Sequence, residues 1–211
     1  MDILYIILGW LLGILSPGII NYISDKRRAK RIKGMMISDL NDLKTRLMWL
    51  PFRVKSDYGV INKDDILWLK IQTNNWNSIS TEDPSQRLEN LKDKASIEKF
   101  VSLINSSRKK DPAFNFKKMT TAVIDSNLIS AEIIDDTFLS KILEIKFQIN
   151  SFNQEVDRVD KLLKMTFDSN IIGENHRIIS SQIEKTNFFL ADKAFYIVEK
   201  INHIINFPEN N

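Results

Sequence analysis

Residues 136–169 read DTFLSKILEIKFQINSFNQEVDRVDKLLKMTFDS, and their apolar positions decide the fold class. Phe138, Ile142, Ile145, Ile149, Phe152, Val156, Val159, Leu163 and Thr166 follow one another at alternating spacings of four and three. That is the heptad seam of a left-handed coiled coil or a long bundle helix. About 34 helical residues reach roughly 50 Å. Leu139 and Leu143 widen the stripe in its first half, so this helix packs against more than one neighbour and belongs to a bundle.

Outward from this segment, Asn170-Ile171-Ile172-Gly173-Glu174 breaks the period, with Gly173 as cap or turn. A second long helix is expected over about 175–206, carrying Ile179, Ile183, Thr186, Leu190, Ala194, Ile197, Ile201 and Ile204, and Pro208 ends it. So short a connection between two apolar stripes predicts an antiparallel hairpin within one chain, with intermolecular pairing as the alternative. The class is all-α.

On the N-terminal side, Met36, Leu40, Leu43 and Leu47 form another helical stripe, which Pro51 is expected to stop. A loop follows through Asp57-Tyr58-Gly59, and Asp64 or Asp65 begins the next helix. Asp83-Pro84 reads as a further helix start. Leu88, Leu91, Ile97, Phe100, Val101 and Ile104 keep helical spacing, with a break near Asp93. Residues 115–126 read as helix, and 127–135 as a turn or short extended piece.

The N-terminus has a different character. Residues 3–23, ILYIILGWLLGILSPGIINYI, hold no charge over 21 positions, enough helix to cross a hydrocarbon layer of roughly 30 Å. A cleaved signal peptide would want a basic start and a small-residue cleavage site, whereas this chain starts Met1-Asp2 and leaves the apolar stretch through Asn21-Tyr22-Ile23-Ser24. Retention as a single-pass anchor is expected. Within the span, Gly9 and Gly13 form a GxxxG pair with Ser16 and Pro17 about one turn on, a pattern that lets two helix backbones approach in lipid. Pro17 predicts a kink.

Charge locates the rest. The net +3 divides into −1 over residues 1–24, +5 over residues 25–33 and −1 over the remaining 178. Lys26, Arg27, Arg28, Lys30, Arg31 and Lys33 thus follow the span directly. They predict a cytoplasmic C-terminal part and an outside N-terminus at a bacterial inner membrane, with these cations facing anionic headgroups. The expected organisation is an anchor over 1–24, a basic juxtamembrane segment over 25–33 and a cytoplasmic helical bundle over 34–211. A near-neutral bundle speaks against nucleic acid as a partner.

Motifs for chemistry are scarce. There is no cysteine, hence no disulfide, thiolate metal site or cysteine nucleophile. His176 and His203 are 27 residues apart in one predicted helix, roughly 40 Å, and cannot share a metal. Glu199 lies one turn before His203 and reads as a solvated surface pair. The doublets Asp64-Asp65 and Asp135-Asp136 sit where helices begin and read as caps. No phosphate-binding glycine loop or nucleophile elbow occurs. No enzyme, cofactor or metal is expected. A pocket, if present, is expected near Trp68–Ile79, where aromatic and amide groups alternate.

The order of span, basic block, DLNDLKTRL (39–47) and MTTAVIDSNLISAEIIDD (119–136) leading into a long helix resembles a group of uncharacterised bacterial single-pass membrane-anchored helical proteins. The resemblance implies the architecture and no activity. Three functions follow as expectations. The first is a scaffold that localises a protein partner at the membrane. The second is an effector or signal-coupling protein, of the kind used in phage defence, acting through association of its spans as a homo-oligomer. The third is a bundle that senses a small ligand.

Overall fold

The computed structural model describes residues 2–73, 88, 90, 91, 93–110, 112, 114–168 and 172–206, without the side chains at 2, 4–6, 8, 11, 12, 14–16 and 129–131. Among these residues the chain is all-helical and has no strand. In order come α1 (Asp2–Tyr58), α2 (Lys63–Thr73), α3 (Lys94–Ser106), α4 (Ala122–Asn127), a 3-10 turn (Leu128–Ile133), α5 (Asp136–Thr166) and α6 (Glu174–Ile205). The chain forms two compact units, one of Met1–Asn41 with Thr121–Glu144, the other of Asp42–Thr120 with Ile145–Asn211.

Helix α1 does not stop at Pro51. Proline removes one backbone hydrogen bond at a cost of about 3 kcal/mol in a helix interior. Here the apolar stripe continues through the proline: Leu43, Leu47, Met48, Pro51 and Val54 are all buried. Burying one such side chain is worth about 1.5–3 kcal/mol, so packing outweighs the lost bond. The helix is also continuous through Pro17 and Gly34.

The transmembrane helix expected over 3–23 is not supported by the described residues. The stretch is helical, but among the described residues no helix is long and apolar enough to cross a membrane. The side chains at 4–6, 8, 11, 12 and 14–16, which that expectation needs, lie outside the description.

In the first unit, Ile32, Met36 and Leu40 of α1 share the core with Ile124, Ile134, Phe138 and Ile142. Thr121 precedes α4 without a side-chain cap of its own. Asp39 supplies one from α1, its Oδ2 accepting the Ile124 N–H at 3.2 Å. Asp135 caps α5 by accepting the Phe138 N–H at 2.8 Å, as the acidic doublet predicts.

In the second unit, α1 ends in a Schellman motif. The Gly59 N–H donates to the Ser56 carbonyl (3.0 Å) and the Val60 N–H to the Lys55 carbonyl (2.9 Å), with Gly59 at φ 69°. A Cβ on Gly59 would lie 2.8 Å from Arg108 Cβ and 3.0 Å from the Asn105 carbonyl oxygen, so glycine is needed for space as well as for conformation. Helix α2 is capped by Asn62, not by either aspartate of the doublet. The Asp65 N–H donates to Asn62 Oδ1 and the Asn62 N–H to Asp65 Oδ2, a reciprocal capping box. Asp93 caps α3 through Ser96, which explains the break near Asp93. Asn105 then ties α3 back by accepting the Ile61 N–H and donating to its carbonyl.

The long helices follow the heptad reading. In α5, Ile142, Ile145, Ile149, Phe152, Val156 and Val159 are at most 1% exposed, and burial then falls on Leu162 while Leu163 is half-buried. In α6 the predicted stripe is buried except for half-buried Ile183, and Asn187, Ala191 and Val198 join it on the adjoining face. Lys193 Nζ donates to Ser151 Oγ at 2.7 Å, joining the middle of α6 to the middle of α5. A connection of about seven residues spans at most ~25 Å, half the length of either helix, so this contact requires the two to run antiparallel.

Two other expectations change. Residues 114–120 are not helical, and α4 begins only at Ala122. Residues 128–133 form a 3-10 turn. The helix start at Asp83-Pro84, with Trp76 and Ile79, lies outside the described residues.

Candidate functional site

Two regions carry unsatisfied chemistry: the N-terminal part of α1, and a cleft between α1 and residues 114–119 in the second unit.

In the first region, Gly9 and Gly13 are helical, with nothing among the described residues within 4 Å of where a Cβ would stand. The side chain of Ser16 lies outside the description. Ile3, Ile7, Trp10, Ile19, Ile20 and Tyr22 are each at least 50% exposed. Successive helix positions turn by about 100°, so these side chains point all round α1 and not along one stripe. Lys26, Arg27, Arg28, Lys30 and Arg31 are exposed and cover a little over half the circumference of the next two turns. Lys33 departs from that set. Its ammonium pairs with Asp135 at 2.8 Å and sits 5.0 Å from the Phe138 ring centroid. The Lys33 hydrogen bond holds the Asp135 carboxyl below its ordinary range, with the Phe138 N–H helping and partial burial opposing.

The second region starts from spacing. Arg46, Trp49, Leu50 and Arg53 occupy positions i, i+3, i+4 and i+7 of α1 and share one face. Opposite them runs Phe114-Asn115-Phe116-Lys117-Lys118-Met119, with Phe114 and Phe116 buried, Asn115, Lys117 and Lys118 exposed, and Met119 half-buried. Asn153 of α5 pins that segment, accepting the Met119 N–H and donating to the Met119 carbonyl, both at 2.8 Å. Phe114 and Phe116 stack at 5.5 Å, and Tyr58 stacks behind Phe114 at 5.9 Å and against Phe188 at 4.8 Å. The result is a half-open cleft of about 500 Å³. Its lining includes two arginines, two lysines and no carboxylate. Arg53 lies over the Phe114 ring at 5.9 Å. Lys118 pairs with Asp157 at 2.8 Å; among the described residues neither Arg46 nor Arg53 has an ion pair.

The second unit also holds buried and half-buried polar groups outside the cleft lining. Asn187, fully buried, donates through Nδ2 to the Tyr58 hydroxyl at 3.0 Å, and its Oδ1 has no partner among the described residues. Burial pushes the Tyr58 phenol up, against the opposing effect of the Asn187 bond. Glu199 does not pair with His203. Its Oε1 accepts Trp68 Nε1–H at 2.6 Å and Gln72 Nε2–H at 3.3 Å, while Gln72 Oε1 accepts from Asn202 at 2.9 Å. Burial pulls the Lys44 ammonium down, and the charge of Glu199 partly restores it. The pocket expected near Trp68–Ile79 falls mostly on residues 74–79, which lie outside the described residues; in the described part, Trp68 is engaged by Glu199 and packs on Phe195 at 4.6 Å.

Among the described residues no group of three or more histidines and carboxylates could hold a metal. His176 and His203 are both exposed, near opposite ends of α6. No family model, curated protein or solved structure matches the chain. The cleft was legible as the RxxWLxxR spacing of residues 46–53, a signal that reading 115–126 as helix obscures.

Proposed function

We propose that this protein is a membrane-anchored helical scaffold that holds a protein partner at the bacterial inner membrane. Residues 3–23 cross the bilayer and residues 25–211 lie on the cytoplasmic side. The observation that carries the reading is the character of the first 23 residues of α1. They contain no charge from Ile3 to Ile23, and the described large apolar side chains there are exposed in all directions. A single protein groove covers one stripe of a helix, whereas lipid covers its whole circumference. The exposed cations from Lys26 to Arg31 follow at once, where they set orientation and meet anionic headgroups. Lys33 is reserved for Asp135.

A second reading, an effector that works by association of its spans, draws support from the open space at Gly9 and Gly13. Small residues four apart admit a second helix at short range. Under that reading Gly9→Ile with Gly13→Ile leaves insertion intact and weakens self-association of the span.

Two measurements test the anchor. Alkaline carbonate should leave the chain in the membrane fraction, and a C-terminal alkaline phosphatase fusion should be inactive. Release of the full chain by carbonate, or an active exported phosphatase, overturns the proposal.

A further inference from the structure

We infer that the cleft between α1 and residues 114–119 binds a nucleoside phosphate, the base lying against the aromatic wall and the phosphates held by the two arginines. This goes beyond the anchoring role and does not depend on it. Three features converge. The first is size: about 500 Å³ lies within the range of small-molecule sites and is too small for a folded partner. The second is charge. Arg46, Arg53, Lys117 and Lys118 line the cleft with no carboxylate among the lining residues, and among the described residues only Lys118 has an ion pair, with Asp157. The guanidinium fork matches phosphate oxygens in pairs, which an ammonium does not. The third is shape. Arg46 and Arg53 stand two turns apart, about 10 Å along α1, with Trp49 between them. Trp49 and, on the facing wall, Phe116 give the base apolar ring surface in the same cleft as both arginines.

The wall opposite α1 is held in place. Asn153 fixes both backbone groups of Met119, and the Phe114–Phe116 stack rests on Tyr58. Arg53 is already drawn over Phe114, so one phosphate ligand is oriented before a ligand arrives. Pre-orientation of this kind reduces the entropy lost on binding. An acidic peptide would satisfy the charge and leave the aromatic surface unused; a lipid phosphate would do the same.

The test uses the full chain in detergent micelles and a fluorescent ADP analogue labelled on the ribose. Saturable binding is expected, displaced by ADP at concentrations at least tenfold lower than by adenosine or pyrophosphate alone. Arg46→Gln and Arg53→Gln, both at exposed positions, should each weaken binding at least fivefold with helicity unchanged. Trp49→Leu should weaken ADP and adenosine alike while leaving pyrophosphate unaffected. Lys185→Gln, an exposed lysine outside the cleft, should change nothing. Absence of saturable binding overturns the inference. So does displacement by pyrophosphate or poly-glutamate as effective as by ADP, or by phosphatidylglycerol micelles alone. Binding that survives both arginine substitutions overturns it too.

Discussion

Replacing Glu199 by alanine removes the acceptor of two donors at once. Trp68 Nε1–H sits 2.6 Å from the carboxylate and Gln72 Nε2–H 3.3 Å from it. Gln72 is 5% exposed, so its donor has little access to water, and half-buried Trp68 has only partial access. A hydrogen bond to a charged group is worth about 1.5–3 kcal/mol, and a buried donor left unpaired costs about 1–3 kcal/mol. Glu199 is itself half-buried, so its removal also relieves some desolvation. We expect a net loss of about 2–3 kcal/mol for Glu199→Ala. Glu199→Gln keeps an acceptor oxygen and should lose about 1 kcal/mol or less. For a chain of this length each kcal/mol lowers the melting temperature by about 2–4 °C. Urea unfolding followed by tryptophan fluorescence and by circular dichroism measures both variants. In a Trp68→Phe background the alanine substitution should cost at least about 1 kcal/mol less, because its main partner is already gone. Lys44 adds a pH signature. Its folded value lies below the ordinary 10.5 because of burial, and Glu199 opposes that fall. A lysine with a lowered folded value destabilises while protonated, and the loss fades as pH rises through the folded value toward 10.5. The Glu199→Ala deficit should therefore narrow at alkaline pH. Equal stability of the alanine and glutamine variants, within about 0.5 kcal/mol, would falsify the assignment of Glu199 as a shared acceptor.

Gly59→Ala should destabilise by at least about 1–2 kcal/mol, since an L-residue is strained at this positive φ and its Cβ would meet Arg108; a urea midpoint equal to wild type would sink that account. Asp135→Asn keeps the cap on α5 but loses the Lys33 pair, and with a carboxylate 52% exposed the cost at neutral pH should be at most about 1 kcal/mol. The Asp135 carboxyl is held below its ordinary 3.8, so its contribution is present above that pH and disappears as pH falls through the folded value. Acid titration of wild type should show this loss, and Asp135→Asn should not; identical acid profiles would refute the pairing.

How much of this could be read from the chain depends on the range of the interactions involved. The long helices were legible because Ile142, Ile149, Phe152 and their α6 counterparts repeat a period that only a helix face satisfies. Pro51 misled because a local rule yields to packing that extends beyond it: Val54 is buried three residues past the proline. Residues 115–126 misled for the opposite reason. Phe114 and Phe116 alternate over too few positions to outweigh helical spacing, and Asn153, which holds Met119, is 34 residues away. The cap from Asp39 to α4 spans 85 residues and the Trp68–Glu199 bond 131; neither leaves a local trace. The cleft was half legible. The spacing of Arg46, Trp49 and Arg53 marks a face, but only the fold brings the second wall to it.

The buried asparagine on α6 has a consequence for alignment. Shifted by seven residues, Leu190 would fall where Ile197 stood, Ala194 where Ile201 stood and Ile197 where Ile204 stood. An apolar seam so regular holds two helices together without telling them where to stop, and burial alone hardly distinguishes neighbouring alignments. The polar contacts do. Such a shift would carry Asn187 away from Tyr58, Lys193 away from Ser151 and Glu199 away from Trp68, breaking three bonds made by one fully buried and two half-buried side chains. Three bonds six residues apart, out of step with the seven-residue seam, act as notches on an otherwise uniform rail. The stripe supplies the adhesion, and the notches supply the address.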